Sequence, residues 1–478
     1  MDPLSPHAGP DPHDAGPDPH DAGPAPRVTP GPAGAEGGGS ARAERGPLLQ
    51  YATGSLGMGA WVTVPGLLLL YFLTHTLGVS PLVAGPALLI PKIVDAVVHP
   101  VVGTLSDRQA RRQGNRRGMM RWGLLLGVAM TAMFTVPAGL HGTPAAVWVA
   151  AWYVVGNLLF AAFQVPYLTT PSDLRVGSHE STRVFMVRMV LLTVGLLAAG
   201  VLAPVLVADE QRGSYTRMAC VFAVLMLVTA LVAIRGVRRL TATGGFREPA
   251  AHSPSALADV RLAWADRGFR LLVLSYLFTG TTTHLVLAAV PFYAEHVLGR
   301  SGLTAVLMGA FLGPAMITSP LWFRVSGRIG KQRGLLLAQL LFVLGSLVLV
   351  AGDHVPVALT VAVVALLGTS FAGLQLLAFS MVPDVVAAAE RRGHSRAGAY
   401  TGVWTATEAV GTAAGPYVYS AVLAVGGFAA SVDGEGARQT AGAVHAVLIG
   451  FTVVPAVLMA VAWLVQRRCR LDGLADAR

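Results

Sequence analysis

The stretch from Lys92 to Gly118 combines titratable side chains in an apolar run with an arginine-rich segment that follows it. Lys92, Asp95 and His99 are three and four residues apart, so a helix would place them on one face. A charge at bilayer depth costs roughly 2.5–3.5 kcal/mol, and such residues therefore usually face a bundle interior or a water-filled cavity. A carboxylate and an imidazole four residues apart can hold or pass a proton. This face predicts a cation-coupling site.

Each of these residues also has a purely structural interpretation. Asp95 could form a buried ion pair with Lys92 or Arg188 that fixes packing. His99 precedes Pro100 and could bond a carbonyl that the proline frees at a kink. The sequence leaves these alternatives open.

The composition places these side chains in a membrane protein. Hydrophobic residues make up 54% of the chain and charged residues 13%, and the mean hydropathy is +0.60. A soluble domain does not hide that much apolar surface. The net charge of +10 comes from arginines in short loops between apolar runs, which argues against nucleic-acid binding. The two cysteines, Cys220 and Cys469, offer no disulfide framework or thiolate metal site.

Apolar runs of about 20 residues, each long enough to cross a hydrocarbon core, recur from Leu48 onward. The prediction is an all-α membrane protein of twelve transmembrane helices in two six-helix halves. The helices are expected near 51–74, 81–105, 121–140, 145–168, 184–207, 217–235, 271–296, 302–324, 334–351, 355–382, 399–426 and 442–465.

The longest internal loop separates the two predicted halves. The expected divisions are a disordered low-complexity tail, 1–46, an N-terminal half, 47–235, a linker, 236–269, a C-terminal half, 270–466, and a short tail, 467–478. The halves also echo each other, because His99-Pro100 precedes Arg108 at the same offset as Ser319-Pro320 precedes Arg328. Such a repeat is typical of a transporter with a midplane site between its halves.

Loop charge predicts the orientation. Alternate loops carry most of the arginines, so the positive-inside rule places both termini in the cytoplasm of a cell whose plasma membrane this protein spans. The richness in Ala, Gly, Val and Arg favours a bacterial source.

The segment GTLSDRQARR, from Gly103 to Arg112, resembles the signature loop of the major facilitator superfamily, with Ala110 where a glycine is usual. The resemblance implies the fold of that superfamily and a gate latch. Gly103 would allow close helix approach, and Asp107 would pair with a neighbouring helix end or arginine. Charge that only sets topology is the alternative. The gating residues implied are Gly103, Asp107, Arg108, Arg111 and Arg112, with Asp384 and Arg396 in the second half.

Four stretches are similar to the glycoside–pentoside–hexuronide:cation symporter family. They are KIVDAVVHPVVGTLSDRQARRQGNRR, VPYLTTPSDLRVGSHESTRVFMVR, SMVPDVVAAAERRGHSRAGAYTGVWTATEAVGTAAGP and FTVVPAVLMAVAWLVQRRCRLDG. That family uses two second-helix carboxylates and a fourth-helix carboxylate for its cation. Here Asp95 matches the first, while His99 and Gln164 stand at the other two positions. One carboxylate, an imidazole and an amide suit H⁺ better than Na⁺.

The resemblance also implies a substrate side. Arg188 matches the family's fifth-helix arginine, Trp404 and Glu408 lie one turn apart on the eleventh helix, and Lys92 faces the same interior. Arg188 could hold a hydroxylated or anionic substrate, or pair with Asp95. Glu295 and His296, at the outer end of the seventh helix, are expected to be solvated.

Walker, HExxH, CxxC and GxSxG patterns are absent, so no enzyme, metal site or cofactor is predicted. The leading hypothesis is a secondary transporter that moves a small organic solute, sugar-like or related, by symport with H⁺. It would act as a monomer in the bilayer. An uncoupled facilitator or exporter of an amphipathic metabolite or drug is the alternative, and a non-transporting membrane sensor is a remote one.

Overall fold

The computed structural model describes residues 44–174, 178–244, 261, 264–391, 397–432 and 438–469. The predicted tail before Glu44, the end of the chain after Cys469 and most of the predicted linker lie outside these ranges.

The N-terminal half is built from eight described helices. An apolar segment in a bilayer satisfies its backbone groups internally by forming a helix. The first pass ends in a wider π-helical turn, Phe72–Thr76, and the third contains a 3₁₀ turn, Arg121–Leu125. The helices are α1 Arg45–Ala52, α2 Gly54–Tyr71, α3 Pro81–Gln113, α4 Arg117–Met120, α5 Leu126–Phe134, α6 Gly142–Asp173, α7 Ser178–Leu206 and α8 Arg212–Gly244.

The C-terminal half repeats this pattern over the residues that the structure describes. Its first helix also ends in a π-helical turn, Tyr293–Val297. The helices are α9 Arg267–Phe292, α10 Leu303–Ile317, α11 Ser319–Ile329, α12 Lys331–Val348, α13 Val357–Arg391, α14 Ala397–Val425, α15 Ala441–Phe451 and α16 Val453–Arg467.

The fold class is as predicted. Within the described ranges, nine helical segments are long and apolar enough to span a bilayer, and α10 with α11 forms a further span bent by 54°. The two remaining predicted passes are helical as well: the third is interrupted at its 3₁₀ turn, and α14 is one helix of 29 residues. α14 carries many small and polar residues because it packs between α3 and α9.

Two helices extend beyond their predicted ends. The segment expected to be a loop after Leu105 continues α3 to Gln113, since Gln, Ala and Arg favour helix. Gly114, with φ +62°, then ends the helix in a left-handed conformation. Likewise α8 continues through its arginines to Gly244 rather than ending near 235.

Small residues let the first and fifth passes approach closely. A Cβ at Gly59 would lie 2.7 Å from the backbone nitrogen of Leu196 and 2.8 Å from the carbonyl carbon of Gly195. In a bilayer, van der Waals packing of this kind replaces the hydrophobic drive for helix association. α7, the helix that carries Arg188, is thereby fixed against α2.

The two ends of the bundle differ in how the halves meet. We call the end where α3 passes into α4 the arginine-rich end, and the end containing the two π-helical turns the opposite end. Hydrogen bonds between the halves cluster at the opposite end, where Ser431 donates from its backbone nitrogen to Thr74 (2.9 Å) and from its hydroxyl to the His75 carbonyl (2.8 Å). Ser420 also bonds the Pro81 carbonyl there. The structure is therefore closed between the halves at the opposite end.

Candidate coupling and gating sites

The side chains of Lys92, Asp95 and His99 contact one another on α3. Asp95 Oδ1 lies 3.1 Å from His99 Nδ1, and Asp95 Oδ2 lies 3.7 Å from Lys92 Nζ. Asp95 is buried, whereas His99 is about one-third exposed on its side chain (32%). A buried carboxylate held between two bases by helical spacing can change its proton occupancy without losing all partners.

The adjacent helix α6 completes this group. His99 Nε2 is 3.1 Å from Gln164 Oε1, and Lys92 Nζ is 3.4 Å from Asn157 Oδ1. The Lys92 ammonium also lies over the Tyr153 ring, 5.3 Å from its centroid. The structure therefore brings together Asp95, His99 and Gln164, the three residues expected to form the coupling site. We call these three, with Lys92, the α3–α6 cluster.

Sequence reasoning missed Asn157 and Tyr153. Both precede Gln164 on α6 at helical spacing, so they share its face, and that spacing was the available signal. Asn157 is fully buried and also donates to the Pro91 carbonyl (3.3 Å). It thus fixes Lys92 beside a proline of α3.

Arg188 lies apart from the α3–α6 cluster. Its side chain contacts the Phe185 ring, 5.0 Å from its centroid, and the Met189 sulfur at 3.3 Å, while its buried Nε has no hydrogen-bond partner among the described atoms. Asp95 instead pairs with Lys92 and His99. The expected pairing of Arg188 with Asp95 is therefore not seen in this structure.

Trp404 and Glu408 lie one turn apart on α14 but have different surroundings. Trp404 is buried, stacked on Tyr276 at 4.1 Å and edge-on to Phe379 at 5.5 Å. Glu408 is half-buried. The aromatic residue is thus part of the packing of the C-terminal half, and the carboxyl is the more accessible of the pair.

The arginine-rich end of the N-terminal half holds a buried ion cluster. Arg116 donates from Nε to Asp173 Oδ2 (2.6 Å) and from Nη2 to Asp173 Oδ1 (3.2 Å). Its Nη1 donates to Ser106 Oγ (3.0 Å) and to Asp107. Arg116 thereby ties Asp173, at the end of α6, to Ser106 and Asp107 on α3. We call these four residues the Arg116 latch.

The other predicted gating residues are arranged differently. Arg108, Arg111 and Arg112 are exposed. A Cβ at Gly103 would meet no atom within 4 Å, so close helix approach there is not a feature of this state. Asp107 pairs with Arg116, an arginine that is not among the predicted gating residues.

The second half pairs Asp384 with Lys331, at 2.6 Å between Oδ2 and Nζ. Both side chains are exposed to solvent. Arg396 lies outside the described residues.

A second polar cluster joins the two halves at the opposite end. His75 Nε2 lies 3.0 Å from Glu295 Oε1, and His75 Nδ1 lies 3.7 Å from Glu210 Oε2. Tyr71 donates to Glu295 Oε2, and His296 Nε2 is 3.5 Å from the same oxygen. We call Tyr71, His75, Glu210, Glu295 and His296 the bridging cluster.

The expectation that Glu295 and His296 are solvated is wrong. The Glu295 side chain is 22% exposed and His296 is 13% exposed, because the π-helical turn folds them toward the first helix. The sequence held a signal, since Thr74-His75-Thr76-Leu77-Gly78 and Glu295-His296-Val297-Leu298-Gly299 occupy matching positions in the two halves. Both glycines have φ near +67°, which a glycine accepts without strain.

Comparison with known proteins places this architecture in a family. Residues 50–473 match the family model described as MFS/sugar transport protein. The chain belongs to the MFS/sugar transport family. It is a multi-pass membrane transporter for a small-molecule solute and not an enzyme, in agreement with the sequence-based prediction.

Individual relatives span much of the chain. An isoprimeverose transporter of Lactiplantibacillus pentosus is 25% identical over 411 residues, covering 81% of each chain. A sphingosine-1-phosphate transporter of Mus musculus is 25% identical over 323 residues, covering 62% of this chain and 63% of its own. The inward-facing structure of a bacterial homologue of the lysosomal transporter Spinster superposes with a TM-score of 0.62 at 14% identity, over 88% of this chain and 96% of that one. The similarity to the Spinster homologue concerns the fold alone.

Proposed function

We propose that this chain carries a small organic solute, sugar- or glycoside-like, by symport with H⁺. The observation that supports the proposal is the α3–α6 cluster: a buried carboxylate contacts an imidazole at 3.1 Å, and the imidazole contacts an amide on the next helix at 3.1 Å. Groups of this kind inside a membrane bundle usually mark an ion pathway.

The donor set favours H⁺ over Na⁺. A hard cation prefers several oxygen ligands, including anionic ones. The cluster supplies one carboxylate, Asp95, and places the ammonium of Lys92 3.7 Å from it, which would repel a metal cation. A proton shared between Asp95 and His99 meets neither difficulty.

Proton binding would drive transport by changing which arrangement of the two halves has the lower free energy. A bound ion shifts the equilibrium only if its affinity differs between the two states. α3 carries Asp95 near its middle, packs along α14 of the other half, and ends in the Arg116 latch. Asp107 with Arg116, and Asp384 with Lys331, are the proposed gate residues at the arginine-rich end, with Gly103, Arg108, Arg111 and Arg112 on the same segment as Asp107. Arg396, which lies outside the described residues, is proposed as a gate residue from the sequence alone.

The positive-inside rule assigns the arginine-rich end to the cytoplasm, with both termini on that side of a bacterial plasma membrane. In that orientation the closed opposite end is external, and the structure represents an inward-facing state. We propose a monomeric carrier, as in the two-halves arrangement of such transporters.

For the solute, Arg188 and Glu408 are the proposed polar contacts, one in each half. The buried Nε of Arg188 has no hydrogen-bond partner among the residues that the structure describes, so it is a donor suited to a hydroxyl or an anionic oxygen. Trp404 would support this site by packing. The sugar class follows from the family description and from the isoprimeverose transporter among the relatives.

An exporter or facilitator of an amphipathic metabolite is the second candidate. The similarity to a sphingosine-1-phosphate transporter favours it, since that solute is named for a relative covering 62% of this chain. This candidate predicts solute movement that is independent of an ion gradient.

The test is solute-driven ion flux in proteoliposomes, with sugars, glycosides, organic anions and lysolipids as solutes and with H⁺ and Na⁺ followed separately. We expect H⁺ movement with one solute class, and loss of solute-driven H⁺ movement in Asp95→Asn. Asp209→Asn is the matched control, because Asp209 is an exposed carboxylate paired with Arg217 outside the spans. Sodium-driven flux, or solute flux unaffected by Asp95→Asn, would overturn the proposal.

A further inference from the structure

The bridging cluster lies apart from the proposed coupling site and is not needed for it. Its donors come from three segments: the end of the first pass, the turn after α7 and the end of α9. His75 and Glu210 belong to the N-terminal half, and Glu295 belongs to the C-terminal half.

We infer that His75, Glu210 and Glu295 form a binding site for a divalent transition-metal ion, with Zn²⁺ as the best-matched ion, that is complete only when the halves are closed at the opposite end. One imidazole and two carboxylates are donors that Zn²⁺ accepts, with a fourth position left for water or a further side chain.

The geometry is close to what a tetrahedral ion needs. One ligand atom from each of the three residues lies within 4.8 Å of the other two. Bonds of about 2.0–2.1 Å to a tetrahedral ion place ligand atoms roughly 3.4 Å apart. An ion bound by His75 Nδ1 and Glu210 therefore requires the Glu295 carboxylate, which lies 3.0 Å from Nε2 on the other edge of the ring, to turn toward the Nδ1 side. His296, 3.5 Å from Glu295 Oε2, is within reach as a fourth ligand.

A buried ring nitrogen of His75 that lacks a hydrogen-bond partner among the described atoms points to a ligand at this position. His75 is only 2% exposed, yet its Nδ1 has no hydrogen-bond partner among the described atoms. An unsatisfied polar atom at this depth costs free energy and needs an explanation. It faces Glu210, whose carboxylate oxygen is 3.7 Å away, too far for a hydrogen bond but suitable for two ligands of one ion.

The backbone and the surroundings of Glu210 agree with this assignment. Glu210 has φ +55°, a left-handed conformation that a residue with a Cβ seldom adopts and that is often held for a functional reason. A cavity of about 150 Å³, bordered by Tyr71, Glu210 and Ser301, adjoins the cluster and has room for metal-bound water.

Because its ligands come from both halves, the ion would act on the transport cycle. Opening the opposite end separates Glu295 from His75 and Glu210 and removes a ligand. Zn²⁺ would therefore bind the closed state more tightly, raise its population and slow transport. The site is thus an inhibitory metal clamp and not a resident cofactor.

The first experiment measures binding of ZnCl₂ to the purified full-length chain after chelator treatment, by titration calorimetry. We expect one tight site, weakened roughly 10- to 100-fold or more in His75→Gln and in Glu295→Gln. Glu210→Gln serves as a second variant if either of these fails to fold. Binding should weaken as the pH is lowered, because a protonated imidazole cannot ligate.

Two controls separate this site from other histidines. His445→Gln removes an exposed histidine of α15, and a combined His7→Gln, His13→Gln, His20→Gln variant removes those of the N-terminal repeat. Both should keep the tight site. Equal affinity in His75→Gln, or loss of the site in the N-terminal variant, would overturn the inference.

The second experiment follows conformation without a transported solute. Spin labels placed on the two halves at the opposite end should report a narrower, shorter distance when ZnCl₂ is added, reversed by EDTA. No change in that distance despite tight binding would reject the clamp. Neither readout depends on the solute or on H⁺, so this inference and the proposed function fail separately.

Discussion

Each half of this transporter carries a carboxylate near the end of a long helix, and the two are held in different ways. Asp173 ends α6 and receives two hydrogen bonds from Arg116, which is 5% exposed. Asp384, near the end of α13, pairs with Lys331 through one contact, and the two side chains are 46% and 43% exposed. Burial and two-point geometry make the first pair a structural joint, whereas solvent weakens the second.

The same asymmetry holds for α3 and its counterpart in the second half, α10 with α11. Asp95 and His99 on α3 correspond, at the offset set by the His99-Pro100 and Ser319-Pro320 pairs, to Ala315 and Ser319. Ser319 only bonds back to the Ala315 carbonyl, at 3.2 Å. The repeat has preserved the helices and their bends, while titratable chemistry is concentrated in the N-terminal half.

The largest expected effect comes from breaking the Arg116 latch. Arg116→Ala removes the guanidinium that hydrogen-bonds to both Asp107 and Asp173, and we expect a loss of roughly 3–5 kcal/mol in the free energy of unfolding. Denaturant titration of the protein in detergent would measure it. Arg116→Lys keeps the charge but loses the planar two-point contact, and it should fall between wild type and alanine. A loss below 1 kcal/mol in Arg116→Ala would show that the latch is not a structural joint.

The next effect concerns His99. His99→Gln keeps a polar group beside Gln164 but removes the imidazole that is proposed to hold or pass the proton. We expect proton-coupled uptake to fall about tenfold, equal to about 1.4 kcal/mol in activation free energy, and its dependence on pH to flatten. Uptake into proteoliposomes over a series of pH values is the measurement.

The matched control for His99 is Ser319→Ala, at the equivalent position of the C-terminal half. Its uptake and pH profile should match wild type. An unchanged pH profile in His99→Gln, or an equal change in Ser319→Ala, would contradict the assignment of coupling to one half.

The smallest effect is expected from Lys331→Ala. The Lys331–Asp384 pair is exposed, and such pairs contribute roughly 0–1 kcal/mol. The same denaturant titration should therefore detect little change, and high salt should abolish it. A loss as large as that of Arg116→Ala would remove the difference between the halves.

Much of the coupling site could be predicted from the sequence because it depends on local geometry. Spacings of three and four residues on α3 fix the contacts of Lys92, Asp95 and His99 once the segment is helical. Gln164 required the family resemblance, since its place beside His99 depends on how α3 and α6 pack. Asn157 and Tyr153 then follow from the face of α6 that Gln164 defines.

The gate residues show where local reasoning stops. The arginines from Arg108 to Arg117 cannot be told apart by residue type. Of them, only Arg116 is both buried and paired with Asp107 and Asp173. Gly114 ends α3 and turns the chain so that Arg116 points back, while Arg108, Arg111 and Arg112 remain on the exposed face of α3. That selection depends on the direction of the chain after the turn.

The sequence by itself determined the membrane class, the helical passes and the two-half repeat, because apolar length and loop charge act segment by segment. Only the tertiary structure decided which distant groups meet. Glu295 reads as a solvated residue at a helix end, but the π-helical turns of two helices more than 200 residues apart bring it to 3.0 Å from His75. Contacts of that kind arise from packing between the halves, and the matching segments in the sequence indicate the two turns but not their contact.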